Sequence, residues 1–265
     1  MNAHVTVLCL GDIFGRPGRK IVKERLPKLI SDYQIDFVVA NGENVAGGKG
    51  LNIKCANELF DAGVDVLTNG NHLMDNREIL TLLEEDKRVI RPWNMKEKTP
   101  GSGFTVIQKN NVRYAVVNFM GTVLMPHDFS AFDRLDEKIR FIKGVSDICI
   151  VDMHAEASSE MRVMGFCWDG KASVVFGTHT HVPTADAEIL QHGTAYITDV
   201  GMTGPYDSVI GVRKDMAMHR IMFGEKKGFE VAKGDVRLYG LLCKIDPKTS
   251  KTIEIEQIVI KENAV

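Results

Sequence analysis

Five short apolar, β-branched runs, each ending in glycine and polar residues, most constrain the fold of this chain. They are "VTVLCLGD" (5–12), "DFVVANGEN" (36–44), "VDVLTNGNH" (64–72), "DICIVDMH" (147–154) and "ASVVFGTHTH" (172–181). Each reads as a buried strand with a loop at its C-terminal end. Between them lie helical patterns. After "GRPG", Ile21, Val22, Leu26, Leu29 and Ile30 follow a 3.6-residue period, and Pro27 is expected to bend or split that helix. "NIKCANELFDAG" is amphipathic and closes at Gly63, while "DNREILTLLEED" offers Asp75 as an N-cap. Strand–helix alternation of this kind marks an α/β domain.

From about Phe104 the pattern changes. "FTVIQKNNVRYAVVNFM" is two strands around an Asn110-Asn111 turn, and "AYITDVGM", "DVRLYGLLCKID" and "TIEIEQIVI" add further strands, with Asp246-Pro247 as a turn. The expected fold class is therefore α/β, with two packed mixed β-sheets flanked by helices. There is no repeat and no Pro/Ser-rich linker, so a single domain over residues 1–265 is expected.

In open α/β folds ligands bind outside the carboxyl ends of the strands, where loops and helix N-termini converge. The five strand ends carry Asp12, Glu43, Asn44, Asn71, His72, His154, His179 and His181. Carboxylates and amide carbonyls offer oxygen and imidazoles offer nitrogen, a mixture that suits iron, manganese, zinc or cobalt better than calcium. Eight candidates exceed the needs of one ion, and two ions sharing a carboxylate would use most of them. The H-x-H of "GTHTH" alone proves little, because eight histidines in this length produce that spacing by chance about one time in four. Its weight comes from company at the other strand ends.

Several chemistries are excluded. "NVAGGKG" has Glu43 where a Walker A loop needs glycine, "GDIFGRPG" has the wrong spacing for dinucleotide binding, and no G-x-S-x-G elbow occurs. His181 is followed by Val-Pro-Thr, which departs from amide-cleaving H-x-H-x-D-H zinc enzymes. His4, His127, His192 and His219 lie away from the strand ends and read as surface or packing residues. A formal net charge of −2 creates no global attraction for polyanions, so an anionic substrate must be captured locally. The segment 211–234 holds six Lys or Arg against three acids and reads as a solvated face. Nowhere is there a long basic stripe with interleaved aromatics. Five scattered cysteines without framework spacing read as reduced core thiols; with no export signal and no run of 18 apolar residues, a cytoplasmic location away from membranes is expected.

Taken together, "GDIFGRPGR", "NGENVAGGKG", "GNH", "DMHAEASSE", "GTHTHVPTAD" and "TDVGMTGPYDSVIG" resemble the calcineurin-like metallophosphoesterases, and more narrowly their bacterial YmdB-like branch. The resemblance runs from Gly11 to about Gly211. Phe14 stands where the wider superfamily has the histidine of D-x-H, and Glu43 with Asn44 replaces its bridging aspartate, both as in the narrower branch. The resemblance implies an αββα sandwich that hydrolyses cyclic nucleotides, 2′,3′-cyclic ones preferred. It also implies two divalent or mixed-valent metal ions, iron or manganese before zinc or cobalt. Asp12, Glu43, Asn44 and His181 would hold one ion; Glu43, Asn71, His154 and His179 would hold the other, with Glu43 bridging. His72 would be the general acid. Two divalent ions, two carboxylates and a bridging hydroxide leave a charge of about +1 to meet a phosphodiester monoanion, which that hydroxide would attack in line. A phosphomonoesterase or RNA nuclease with the same site is the alternative, and a non-catalytic scaffold the one after it. Partners expected beyond a small phosphodiester are RNA or an RNA-processing protein and a second copy of the chain.

Overall fold

The computed structural model describes residues 4–225 and 228–262. In chain order the elements are β1 (Val5–Leu10), α1 (Gly15–Asp32), β2 (Phe37–Asn41), α2 (Ile53–Asp61), β3 (Val66–Thr68), α3 (Ile79–Glu85), β4 (Phe104–Lys109), β5 (Val112–Met120), α4 (Leu135–Val145), β6 (Ile148–His154), α5 (Ser158–Trp168), β7 (Val174–Thr178), β8 (Glu188–Ile189), β9 (Ala195–Ile197), β10 (Gly204–Pro205), α6 (Lys214–Phe223), β11 (Val236–Ile245) and β12 (Thr252–Lys261).

These strands form two six-stranded mixed sheets. The first has the order β10-β11-β1-β2-β3, with β12 also paired to β11; β1, β2 and β3 run parallel and β11 is antiparallel to β1. The second has the order β4-β5-β6-β7-β9-β8, with a parallel centre from β5 to β9. Alternation along each strand sorts side chains to opposite faces. Val7 and Cys9 of β1 turn inward to meet Ile148 and Ile150 of β6, while Leu8 and Leu10 turn outward under α1, α2 and α3. On the second sheet Cys149, Val151 and Met153 turn outward under α4 and α5. Helix, sheet, sheet and helix thus stack around three apolar layers, as the strand and helix patterns led us to expect. Phe37 and Tyr114 stack across the inner layer with ring centroids 4.2 Å apart and planes 3° from parallel.

The turn between β4 and β5 places both Asn110 and Asn111 at positive φ (51° and 63°), the geometry of a two-residue hairpin that asparagine tolerates. Two expectations need correction. Pro27 lies inside an unbroken α1. It sits on the exposed side, where water can satisfy the carbonyl freed by its missing N–H. Asp75 does not cap α3, which starts at Ile79 after Glu78; its carboxylate instead pairs with the His72 ring, described below.

Replacing Phe37 by Ala is expected to cost about 3–5 kcal/mol of unfolding free energy in a urea titration. The Phe37–Tyr114 pair should show a coupling of about 0.5–1.5 kcal/mol in a double-mutant cycle.

Candidate metal centre

The carboxyl ends of β1, β2, β3, β6 and β7 meet at one edge of the sandwich, because parallel strands of both sheets present their C-terminal loops on the same side. All eight residues singled out from the sequence lie there, linked by direct contacts. Asp12, fully buried, accepts the backbone N–H of His179 at 2.9 Å through Oδ2. Its Oδ1 has no hydrogen-bond partner and lies 3.7 Å from His181 Nε2 and 4.0 Å from His154 Nδ1. Glu43 stands 3.1 Å from His154 Nε2, and its carboxylate also accepts the Asn44 amide (3.2 Å) and the His72 backbone N–H (2.8 Å). Asn71 Oδ1 is 3.0 Å from His154 Nε2. The Asn44 amide nitrogen is 3.2 Å from His181 Nε2. His154 and His179 rings meet edge to face at 4.8 Å. Glu43, His154 and His179 each offer one ligand atom within 4.8 Å of the others. The contacts fall into two groups, one through Asn44 and His181 and one through Asn71, His154 and His179, which join at Glu43.

Hydrogen bonds on the far side of each imidazole decide which nitrogen faces the centre. Thr178 Oγ1 donates its only proton to Asp152 (2.8 Å), so at 2.9 Å it must accept from His154 Nδ1. His181 Nδ1 donates to the carbonyl of Ile210 at 2.9 Å. When either ring is neutral, as metal ligation requires, its lone pair is on Nε2, turned toward Glu43 and Asn71 in one case and toward Asp12 and Asn44 in the other. Acceptor atoms therefore converge with few protons to share. A cation satisfies them together, so the donor set fits divalent metal ions. Without one, His154 and Glu43 compensate each other. Burial alone would raise the Glu43 carboxyl, yet the His154 charge and hydrogen bond hold it at about 2. Burial works against a charged His154, and Glu43 nevertheless pushes it up to about 9. Asn44 turns its amide nitrogen inward; a half-turn of the amide would exchange it for the carbonyl oxygen.

Backbone geometry is specialised here. His179 and His181 both have positive φ (107° and 65°), a conformation that costs a side-chain-bearing residue about 1–3 kcal/mol and persists only when neighbours enforce it. The enforcing group is Asp199, after β9, whose Oδ2 accepts the backbone N–H (2.9 Å) and hydroxyl (2.8 Å) of the intervening Thr180. Its Oδ1 accepts the Gly201 N–H at 2.7 Å. Burial and the nearby Asp12 push Asp199 up to about 8. Glycine is required at position 70, since a Cβ there would lie 2.1 Å from His154 Cδ2 and 2.6 Å from a Glu43 oxygen.

Three further acids belong to the site and escape a reading based on strand ends. Asp152 is buried inside β6; it accepts from Thr68 (2.5 Å), Thr178 (2.8 Å) and Asn41 (3.3 Å), and burial pushes it up to about 6. A charged residue inside "ICIVDMH" is the signal that could have found it. Asp199 lies in the "TDVG" stretch, where its position along the chain gives it no role. Glu156 lies 3.0 Å from His179 Nε2. His72 Nδ1 donates to Asp75 Oδ2 (2.8 Å), leaving Nε2 without a protein partner among the described residues. His127, His192 and His219 engage Met125, Asp169 and Glu225, away from this centre.

A two-sheet α/β sandwich with this edge is the architecture of the calcineurin-like metallophosphoesterases. A family model described as YmdB-like protein matches residues 8–258. The chain is 42% identical over 257 residues to the 2′,3′-cyclic-nucleotide 2′-phosphodiesterase of Bacillus subtilis, covering 97% of each chain. A solved structure described as a novel phosphatase from Mycoplasma pneumoniae has a TM-score of 0.92 at 38% identity, covering 98% of this chain and 95% of that one. A hypothetical protein from Thermus thermophilus has a TM-score of 0.91 at 39% identity, covering 97% and 100%. The chain belongs to the YmdB-like protein family, and it is a phosphoesterase.

Replacing Asp152 by Ala strands donors from both sheets and is expected to lower unfolding free energy by about 3–5 kcal/mol, measured by chemical denaturation. Asp199→Ala, which releases only the Thr180 and Gly201 turn, should cost about 1–3 kcal/mol in the same measurement.

Proposed function

We propose that the chain is a dinuclear-metal phosphodiesterase acting on cyclic nucleotides, with 2′,3′-cyclic nucleotides preferred. The observation that carries this reading is the convergence of acceptor atoms: Glu43, Asn71 Oδ1, the unpartnered Asp12 Oδ1 and the Nε2 lone pairs of His154 and His181. Asp12, Glu43, Asn44 and His181 would hold one ion, and Glu43, Asn71, His154 and His179 the other. Iron or manganese suits this mixture of oxygen and nitrogen, ahead of zinc or cobalt. When bound, two such ions supply Lewis-acid charge that polarises a phosphoryl group and makes water a nucleophile at neutral pH.

The protein's own residues do the rest. With only two carboxylates among seven candidate ligands, the amides and imidazoles leave the centre positive enough to take a phosphodiester monoanion. His72 follows Asn71 directly, and Asp75 orients its ring through Nδ1. In the imidazolium form, with Nδ1–H held by Asp75, the second proton is on Nε2, which gives it to the departing ribose oxygen and spares that oxygen from leaving as an alkoxide. The cyclic substrate is proposed from the activity named for the B. subtilis relative, which this chain matches over 97% of its length. Five cysteines, all unpaired, favour a reducing compartment such as the cytoplasm.

Elemental analysis of purified protein should find about two first-row metal ions per chain. A turnover panel of 2′,3′- and 3′,5′-cyclic nucleotides, phosphomonoesters and short RNA should favour the first. Glu43→Gln is expected to lose metal and turnover together; a metal-free wild type, or full activity in this variant, would overturn the dinuclear reading. His72→Ala should lower kcat by about 10²- to 10⁴-fold while metal content survives. Equal loss of metal and activity in that variant would remove His72 from the acid role.

A further inference from the structure

Segment 211–234 holds six Lys or Arg against three acids, and residues 16–28 are more basic still, with six against one. Arg213 is held by Asp215 and Glu230, each at 2.7 Å, and Lys214 by Asp207; Lys226 and Lys227 lie outside the described residues. Cations gather most densely at a cleft of about 510 Å³ between α1 and α2, lined by Arg16, Arg19, Lys20, Lys23, Lys54 and Glu58. Residues 16, 19, 20 and 23 recur at helical spacing, so they form one stripe along α1 that rises about 10 Å. Lys54 faces it from the first turn of α2. Glu58 is engaged by Arg19 Nε at 2.8 Å, and Lys20 is engaged by Glu262 at 2.7 Å. Arg16, Lys23 and Lys54 have no acidic partner within ion-pair distance among the described residues.

The cleft is joined to the metal centre. α1 begins three residues after Asp12, a span of at most about 10 Å. The Gly15 N–H donates to the Asn44 carbonyl at 2.9 Å, and the Arg19 guanidinium donates to the Val45 carbonyl. One wall of the cleft therefore hangs on the loop that carries Glu43 and Asn44. Neither α1 nor α2 has an acid in its first turn to offset this charge.

We propose that this cleft binds the sugar-phosphate backbone of a single-stranded nucleic acid whose neighbouring phosphodiester lies toward the metal centre. The cations are strung out along a line instead of converging on a point, which matches successive phosphates better than one phosphate group. No aromatic side chain lines the cleft, so binding is electrostatic, indifferent to sequence and steeply salt-dependent. The interaction needs no metal, and so it stands or falls separately from the phosphodiesterase reading.

The test uses the full chain in EDTA with a fluorescein-labelled single-stranded RNA of about 12 nucleotides, followed by polarisation between about 50 and 200 mM KCl. Lys23→Glu with Lys54→Glu should weaken binding at least about 10-fold at the low-salt end. The milder pair Lys23→Gln and Lys54→Gln should make the slope of log K against log salt shallower by about 1.4, or about 0.7 for each lost phosphate contact. Turnover of a 2′,3′-cyclic mononucleotide by the metal-loaded variants, unchanged within about twofold, shows that they are folded and that the effect is confined to the cleft. Unchanged RNA affinity and slope in both pairs would overturn the proposal. So would an equal loss on reversing the exposed Arg140 and Lys143 of α4, or binding of anionic lipid vesicles in place of the RNA.

Discussion

The buried Asp152 carboxylate is the interaction on which the rest of this structure depends. It sits in β6 of the second sheet and accepts from Thr178 of β7 beside it, and from Thr68 of β3 and Asn41 of β2 in the first sheet. Most of the contact between the sheets is apolar and tolerates sliding, whereas a buried charge does not. Unpaired, it would cost several kcal/mol, so the two sheets are held in the one registration that brings all three donors to it. That registration sets the edge where the strand ends meet. Asp152 also acts on the chemistry, because by taking the Thr178 proton it makes Thr178 an acceptor for His154 Nδ1 and turns the His154 lone pair toward Glu43.

Above this clamp the polypeptide is arranged at some cost. Two histidines hold positive φ, Asp12 Oδ1 lies buried without a partner, and His154 passes so close to the chain that position 70 admits only glycine. Each feature taken alone is unfavourable. Each persists because other parts over-determine it: Asp199 holds the turn between the histidines, and the Ile210 carbonyl holds the His181 ring. Strain and orphaned acceptors gathered at one strand edge are what a preorganised cation site requires, since a cation would supply the charge that these acceptors lack.

The strand ends were legible because parallel strands with covering helices must release their loops on a common side, so a carboxylate, amide or imidazole after each strand becomes a neighbour of the others. This is why Asp12, Glu43, Asn71, His154 and His181 could be grouped although they are spread over most of the chain. Two kinds of feature were not legible. One is the partner choice of polar groups: Asp75 follows a helix-start pattern, yet the His72 ring was close enough to take its carboxylate from α3. The other is support from behind. Asp152 acts through side chains that only the packing of two sheets brings to it, and Asp199 through the loop of the neighbouring strand β7; no spacing along the sequence encodes either. Pro27 shows the converse: the helix runs on through it, and on the exposed side water can take the carbonyl that its missing N–H leaves free.

Charge obeys the same logic. The whole chain is nearly neutral, but charges act over a Debye length of about 8–10 Å, within which local clustering and pairing decide what is left. Salt bridges tie up Arg213 and Lys214 of segment 211–234. Residues 16–28 carry six Lys or Arg against one acid; coiling 16 to 23 into α1 and setting Lys54 of α2 opposite leaves Arg16, Lys23 and Lys54 without an acidic partner among the described residues. On the proposed reading, a molecule with a slight negative charge repels polyanions weakly at a distance and still holds one where its phosphodiester would meet Asp12 and Glu43. Selectivity between a small cyclic substrate and a strand end would then rest on whether the cleft between α1 and α2 is engaged, with the same metal centre serving both.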